Sequence, residues 1–469
     1  MIFSYLKLIL IKVALAIFTF IPQTYLAVGL TGSPSTLIPH EVGNDSEQVI
    51  SDLIFRKLFK YEDGELREDL ISAWTISEDK KYYEFDLKPN LFWQDGEQIN
   101  TDDILYTFSL YPSLIDTMEL QKLGDLKFSV KLTTQNAVLP SILTFGIEPQ
   151  HLSKQPRINP IGSTSYRIAF VEVENGRTKS ITLQSFQKDK KFPRLKFRFY
   201  DKEDDLKEAY KLGEIDTFFS NSDFVWEGVV SKPINYIGRY FALIFNTSGQ
   251  KFSSADNRNF IVKSLNKDDL LKRSYYSLAL KAQGPISYSP YTDIAFANEV
   301  FDPNLKLTPS QEKSLSSIKV LLPNTPDGQQ IEGYLRSQWQ KYNISLETQY
   351  IDTQDLFDAV GNENYDMIFI GHETTPDPDR YTFWHSTQKD FLNLGNFEDL
   401  RSDKSLEEGR KTNIQEERQT HYHIFQDVMR TKNPAIFLYH PGTKIYMKES
   451  KLIPLPVKIY NPTDILDYL

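Results

Sequence analysis

The chain reads as a two-lobed α/β protein, with mixed sheets, helices packed on them, and two strands crossing between the lobes. Three observations predict this. At 469 residues the chain is too long for one ordinary core and implies two or three lobes. In its second half, residues 318–322, 331–342, 344–350, 356–360 and 365–371 follow a β-α-β-α-β order, which implies a parallel sheet with helices on its faces. Two apolar runs, residues 240–248 and 434–440, have the character of strands buried on both faces and fit the two crossings.

The elements follow in order. Residues 25–39, YLAVGLTGSPSTLIP, read as a first strand and a polar loop, and residues 47–59 as an amphipathic helix with Val49, Ile50, Leu53, Ile54 and Leu58 inward. In residues 69–108, Tyr83, Phe85 and Leu87 alternate with Glu84, Asp86 and Lys88, the pattern of a half-buried strand. Asp95-Gly96 signals a tight turn, since glycine supplies the positive φ such turns need. Asn100 and Thr101 can each accept a hydrogen bond from unpaired helix amides, and Asp102 and Asp103 favour the positive end of a helix dipole. Ile104, Leu105 and Phe108 begin that helix's apolar face. Leu126, Phe128, Val130 and Leu132 alternate as a strand, residues 159–168 form a Pro/Gly/Ser-rich break, and Leu195, Phe197 and Phe199 make the next strand. Asn266 caps a later helix, with Asp269 three residues on. Residues 417–431 form a helix with Tyr422, Phe425, Val428 and Met429 inward, and the last residues return to the first lobe. The resulting division is 1–24 as signal peptide or N-terminal anchor, 25–240 as lobe I with an inserted subdomain at about 45–160, 241–440 as lobe II, and 441–469 as the return.

Composition excludes several functions. The net charge is −10 and no long Lys/Arg run occurs, which argues against a nucleic-acid binder. Cysteine is absent, so structural disulfides, thiolate catalysis, cysteine-based zinc sites and lipidation at a signal-peptide cysteine are excluded. Lys7 and Lys12 flank and interrupt an apolar stretch at residues 8–21, resembling a secretory signal, either cleaved near residues 23–27 or retained as an anchor. His421 and His423 lie two apart on a helix and cannot share a metal as i,i+4 pairs do, and His372-Glu373 is adjacent only. No metal or cofactor is expected. An acid–base pair for glycoside cleavage needs carboxylates roughly 5–9 Å apart across a cleft, which the adjacency of Asp102-Asp103 or the nearness of Asp377 and Asp379 does not supply. No G-x-S-x-G, P-loop, G-x-G-x-x-G or H-E-x-x-H is present, and no catalytic activity is expected.

Residues 69–108 also carry Leu70, Ala73, Trp74, Ser77, Asp79, Phe85, Leu87, Lys88, Phe92, Asp95, Gly96, Thr101, Asp103, Tyr106 and Phe108 in register with a longer pattern. It resembles the "S-W-x-x-S-x-D-x-x-x-Y-x-F-x-L-[KR]…F-x-D-G…T-A-x-D-V" signature of the bacterial extracellular solute-binding proteins of family 5, the oligopeptide- and dipeptide-binding group of ABC importers. Weaker echoes follow in order: residues 159–168, LGEIDTFF at 212–219, Arg258 with Asn266, and Asp377-Pro378. The resemblance implies a periplasmic-binding-protein-like clamshell of type II. Ligand binds between the lobes, and closure presents it to membrane permease subunits. It also implies an exported, monomeric receptor, periplasmic or on the outer face of the cytoplasmic membrane, with an oligopeptide as solute. The signature itself builds the fold and does not touch ligand.

In the family, the buried strand ends in "G-W-x-x-D-[YF]-x-D-P", whose Trp and Asp lie beside the peptide, the Asp taking its α-ammonium group. Aligning Asp377-Pro378 sets Gly371 at or beside the Trp place and Thr374 at the Asp place. Both characteristic residues are missing, and loss of the Asp removes a charge-assisted hydrogen bond worth roughly 1.5–3 kcal/mol. Glu373 is the neighbouring carboxylate, although strand alternation points it to the other side. Expected ligand contacts are therefore Gly371, His372, Glu373, Thr374 and Asp377, with backbone groups of Gly32 and Ser33 in the first loop and of Phe245 and Asn246 at the crossing pairing an extended peptide. The missing Trp and Asp keep open another solute, such as an oligosaccharide, an opine-like compound or a metal chelate. A sensory receptor on the same fold and, more remotely, a cleft hydrolase are the other readings.

Overall fold

The computed structural model describes residues 25–111, 118–185, 187, 191–293, 301–352, 355–362, 364–389 and 391–468. The expected signal or anchor at residues 1–24 lies outside the described residues. Two large sheets carry the fold. The first has eight strands, in the order Lys458–Ile459, Val229–Tyr236, Gly442–Lys448, Thr217–Ser220, Tyr25–Thr31, Arg194–Tyr200, Arg177–Ser185 and Tyr166–Glu174. The second has six: Leu280–Lys281, Ala435–His440, Arg239–Phe245, Met367–Glu373, Ser317–Pro323 and Ser345–Ile351. The helix-linked strands Ser317–Pro323, Ser345–Ile351 and Met367–Glu373 pair in parallel, as the alternation requires. Arg239–Phe245 then adds antiparallel to Met367–Glu373 and to Ala435–His440, which makes the sheet mixed.

The chain passes between the sheets twice, from Val229–Tyr236 into Arg239–Phe245 and from Ala435–His440 into Gly442–Lys448. Both crossings are tightly pinned. The Gly238 carbonyl accepts from the Thr374 amide (2.7 Å) and hydroxyl (2.8 Å), and the Gly238 amide donates to the Tyr460 carbonyl (2.7 Å). At the other crossing Gly442 is so enclosed that a Cβ there would lie 2.2 Å from the Leu278 carbonyl oxygen and 2.5 Å from the Asn235 amide.

A four-stranded antiparallel sheet, Ile71–Ile76, Tyr82–Leu87, Lys127–Leu132 and Met118–Gly124, is inserted into the first lobe. Its inward positions are those the alternation marks: Tyr83, Phe85 and Phe128 are buried, with ring centroids 5.6 Å and 5.1 Å apart in succession. Asn100 caps the following helix, Thr101–Ser109, by accepting from the Asp102 amide (2.8 Å), while Asp103 accepts from the Asn100 amide (3.0 Å). Thr101 is the first helical residue, and its hydroxyl donates to the Asp125 carbonyl instead. Asn100→Ala is expected to cost about 1 kcal/mol in urea unfolding, the usual loss when a cap is removed.

One boundary differs from expectation. The helix expected over residues 47–59 runs Asp45–Ile54, with Asn44 accepting the Glu47 amide at 3.0 Å. It stops because Asp69 draws the following residues away: its carboxylate takes the Arg56 guanidinium (2.6 Å) and the Lys57 amide (2.9 Å). Leu58 is buried as expected, but Phe59, also buried, begins the strand Phe59–Glu62.

Candidate functional site: the cleft between the lobes

Three cavities, of about 350, 340 and 320 Å³, lie along the junction of the lobes. The first is walled by Asn44, Asp45 and Lys57 of lobe I, by Arg239 and Glu373 from the second sheet, and by Asn461 and Thr463 of the C-terminal turn. Arg239 stands at the start of the crossing strand. Its guanidinium grips both Asp45 carboxylate oxygens (2.7 and 3.1 Å) and also holds Glu373. Burial alone would lower the Arg239 pKa, but the carboxylates of Asp45 and Glu373 outweigh it and raise it.

The second cavity lies beside the first and contains Arg56, Lys57, Tyr61, Asp52 and Asp69, with Thr375 opposite. Its basic groups are paired within the protein, Arg56 to Asp69 at 2.6 Å, Lys57 to Asp52 at 2.8 Å and Lys60 to Glu62 at 2.5 Å. Asp464, on the turn Pro462–Tyr468, accepts from the amides of Tyr460 (2.7 Å) and Asn461 (3.0 Å), which fixes this wall next to the pinned Gly238.

The third cavity is the most apolar. Tyr61, Leu66, Trp74, Val138 and Pro140 face Tyr291, Pro376 and Arg418, so Trp74 corrects the expectation that the signature of residues 69–108 stays clear of the ligand cleft. The lobes touch at its margin, where the Ala137 amide donates to the Arg410 carbonyl at 2.6 Å. Asp377 also lines it, but its two oxygens are taken by the Arg418 guanidinium at 2.8 Å each, and Asp379 is paired with Arg410 at 2.7 Å. Tyr61 lines both the second and third cavities, and its buried hydroxyl faces Thr375 and the Asp377 backbone across the cleft. Burial, then the Asp377 carboxylate, push this phenol above its usual range.

The expected contacts separate into groups. Glu373 reaches the first cavity and Asp377 the third, so these two carboxylates do meet the cleft. His372 points the opposite way, into the core of lobe II. Its Nδ1 shares a hydrogen bond with the Tyr240 hydroxyl (2.9 Å), and its ring stacks on Phe383 with centroids 4.2 Å apart. Gly371 lies against the Phe241 ring, and Thr374 is buried on the Gly238 carbonyl. Phe245 and Asn246 correct the expectation that they stand at the crossing. The strand enters lobe II at Arg239, so its other end carries Phe245 into the core against Phe252 (4.7 Å between centroids), and Asn246 is buried on the Tyr365 carbonyl. Gly32 and Ser33 bond to the carbonyls of Tyr200 and Thr178, and line none of the three cavities. Arg239, Asp45, Tyr61 and the C-terminal turn were not legible as site residues. Arg239 and Asp45 are 194 positions apart, and no local pattern joins them.

Two lobes, two pinned crossings and a cleft lined from both sides define a clamshell binding protein. Residues 65–391 match the family model described as bacterial extracellular solute-binding proteins, family 5 Middle, and the chain belongs to that family. It is 20% identical over 492 aligned positions to the oligopeptide-binding protein AppA of Bacillus subtilis (strain 168), covering 91% of this chain and 88% of that one. The structure of AppA in complex with a nonapeptide is similar with a TM-score of 0.73 at 18% identity, covering 95% of this chain and 98% of AppA. AgaA in complex with agropinic acid, from A. tumefaciens R10, gives 0.76 at 18% identity and covers 95% and 97%. NikZ from Campylobacter jejuni in complex with Ni(L-His) gives 0.70 at 21%, covering 92% and 95%. The chain is thus a substrate-binding protein of the ABC-importer type with the expected fold. Among the described residues no helix is long and apolar enough to cross a membrane.

Proposed function

We propose that this protein captures oligopeptides outside the cytoplasmic membrane and hands them to the permease of an ABC importer, acting as a monomer and without catalysis. The observation that carries the solute class is the chemistry of the cleft. Its arginines and its lysines Lys57 and Lys60 are already paired to carboxylates, whereas the Tyr61 hydroxyl is buried and neutral, beside the aromatic surfaces of Trp74 and Tyr291. Such a cleft suits a ligand met through neutral hydrogen bonds and apolar side chains, as an extended peptide is. Glu373 and Asp377, held by Arg239 and Arg418, are its proposed lobe II border. AppA was solved with a nonapeptide, whereas AgaA was solved with agropinic acid, so a second reading keeps the receptor and changes the solute. Thr374 favours keeping that reading, because it stands, by the resemblance, where the family's ammonium-binding Asp is expected and supplies no carboxylate.

Mass spectrometry of whatever is released from the purified, denatured protein tests the peptide claim. Peptides of mixed sequence are the expected finding. Their absence, with no thermal shift from a peptide library, would sink the peptide reading and leave the family assignment intact. Thr374→Asp probes the departure directly. A carboxylate there would face the Gly238 carbonyl oxygen rather than donate to it, so a loss of about 1–3 kcal/mol in stability is expected. Titration calorimetry should show no gain for free-amine over N-acetylated peptides, and a clear gain would mean that residue 374 meets the ligand.

A further inference from the structure

The end of lobe I farthest from the crossings carries a cluster of exposed apolar side chains that the cleft does not use. Val225 is 89% and Leu212 75% exposed, and Trp226, Tyr25 and Leu452 are exposed beside them. Contacts join them into one surface. Lys211 Nζ sits 5.2 Å from the centre of the Trp226 ring, the Glu449 amide donates to the Gly228 carbonyl (3.1 Å), and Lys451 lies 4.7 Å over the Tyr25 ring while donating to the Tyr25 carbonyl. Lys191 donates to the Leu452 carbonyl at 2.7 Å. The strand Val229–Tyr236 begins here and ends at the first crossing, and Gly442–Lys448 begins at the second crossing and ends here.

Three features of this surface point to one occupant. Exposed aliphatic groups around a tryptophan, rimmed by lysines, are the composition of a surface that rests in the headgroup zone of a bilayer. Lys451 faces Asp216 (4.0 Å), whereas Lys191 and Lys211 sit over the rings of Phe192 and Trp226 at the rim, where their charge can meet an anionic headgroup. Tyr25 lies within the cluster, and only residues 22–24 separate it from the apolar stretch at residues 8–21 with Lys7 and Lys12. We infer that this end of lobe I, centred on Trp226, Val225, Leu212 and Tyr25, is a membrane-facing surface that rests on an anionic lipid bilayer. The crossings lie at the opposite end of the same strands, so lobe II stays free to move while lobe I is parked.

The test uses the full chain with vesicles of phosphatidylcholine and phosphatidylglycerol whose acyl chains are brominated. Trp93, Trp339 and Trp384 are buried and Trp74 is half-buried at the third cavity, so Trp226 is the tryptophan set to report at this end. Flotation of the protein with the vesicles and quenching of its fluorescence are expected, with the quenching abolished in Trp226→Phe. Val225→Asp, fully exposed and remote from the cleft, should keep the wild-type unfolding midpoint yet lose most of the Trp226 quenching. Three results would overturn the inference: failure to float, flotation without quenching, or quenching unchanged in Trp226→Phe. Quenching only when permease is added would assign the surface to a protein partner instead. Because ligand release is measured separately, failure here leaves the proposed function untouched.

Discussion

Arg418→Ala should lower stability by about 3–5 kcal/mol, the usual penalty for stripping one partner from a buried ion pair. The Arg418 side chain is only 6% exposed and that of Asp377 10%. The guanidinium meets both Asp377 oxygens, donates from Nε to the Gly409 carbonyl (3.0 Å), and lies near the Tyr291 and Tyr422 rings, 5.6 and 5.3 Å from their centres. Burial alone would lower the Arg418 pKa, but the bond to Asp377 outweighs it and raises it. Removing the side chain leaves a carboxylate in a place with little water, beside the third cavity. Arg418→Lys restores the charge but not the fork of two donors, and should recover only part of the loss. Urea unfolding at neutral pH measures both. If Asp377 served chiefly to hold ligand, Arg418→Ala would alter affinity with the unfolding midpoint unchanged.

Two histidines kept neutral in the fold should make acid destabilising below about pH 6.5, offset in part by Asp467, whose carboxyl is raised by burial to about 6. Burial, then the nearby Arg380, pushes His372 down to about 3. His440 is pushed down to about 4, by burial and then by Arg380 and Lys458, against the hydrogen bond its Nδ1 donates to the Arg239 carbonyl (2.8 Å). Both pKa values are depressed relative to 6.5, so below that pH the unfolded chain takes up protons that the folded chain refuses. Stability then falls with falling pH, by about 1.4 kcal/mol per pH unit for each histidine. The slope should ease for His440 near pH 4 and for His372 near pH 3. Unfolding midpoints from pH 7 to pH 4 give the slope. His372→Gln, which can still pair with the Tyr240 hydroxyl, should make it shallower, and an unchanged slope would mean that His372 is charged in the fold.

What could be read from sequence divides along the range of the interactions involved. The strand, turn and helix of residues 69–108 were legible because their determinants are local: alternation at Tyr83, Phe85 and Leu87, a glycine at φ +102° in the turn, and a cap at Asn100. The end of the helix at Ile54 was not, since Asp69 terminates it from outside the segment. At the cleft, the stretch from Gly371 to Thr374 was found but its facing was not. His372 turns into the core and Glu373 outward, a phase fixed by pairing with Tyr240 and Arg239 on the neighbouring strand. Phe245 and Asn246 were misplaced because an apolar run shows that a strand crosses but not which of its ends meets the cleft. The Tyr61 hydroxyl and the Asn461–Thr463 wall depend on chain segments brought together only by the fold.

The two pinned crossings have a mechanical consequence. Gly238 is held by Thr374 and Tyr460, and Gly442 is wedged between Leu278 and Asn235. Two fixed points define a line, and a body attached at two points can only turn about that line, as a door turns on its pins. If the lobes open as the proposed function requires, the expected motion is a single swing with a lever arm. Arg239, next to one pin, barely travels and keeps its grip on Asp45, whereas the contact of Ala137 with Arg410, out at the free edge, parts first and farthest. A ligand wedged near that edge has the leverage to hold the door shut, and one lodged beside the pins has almost none.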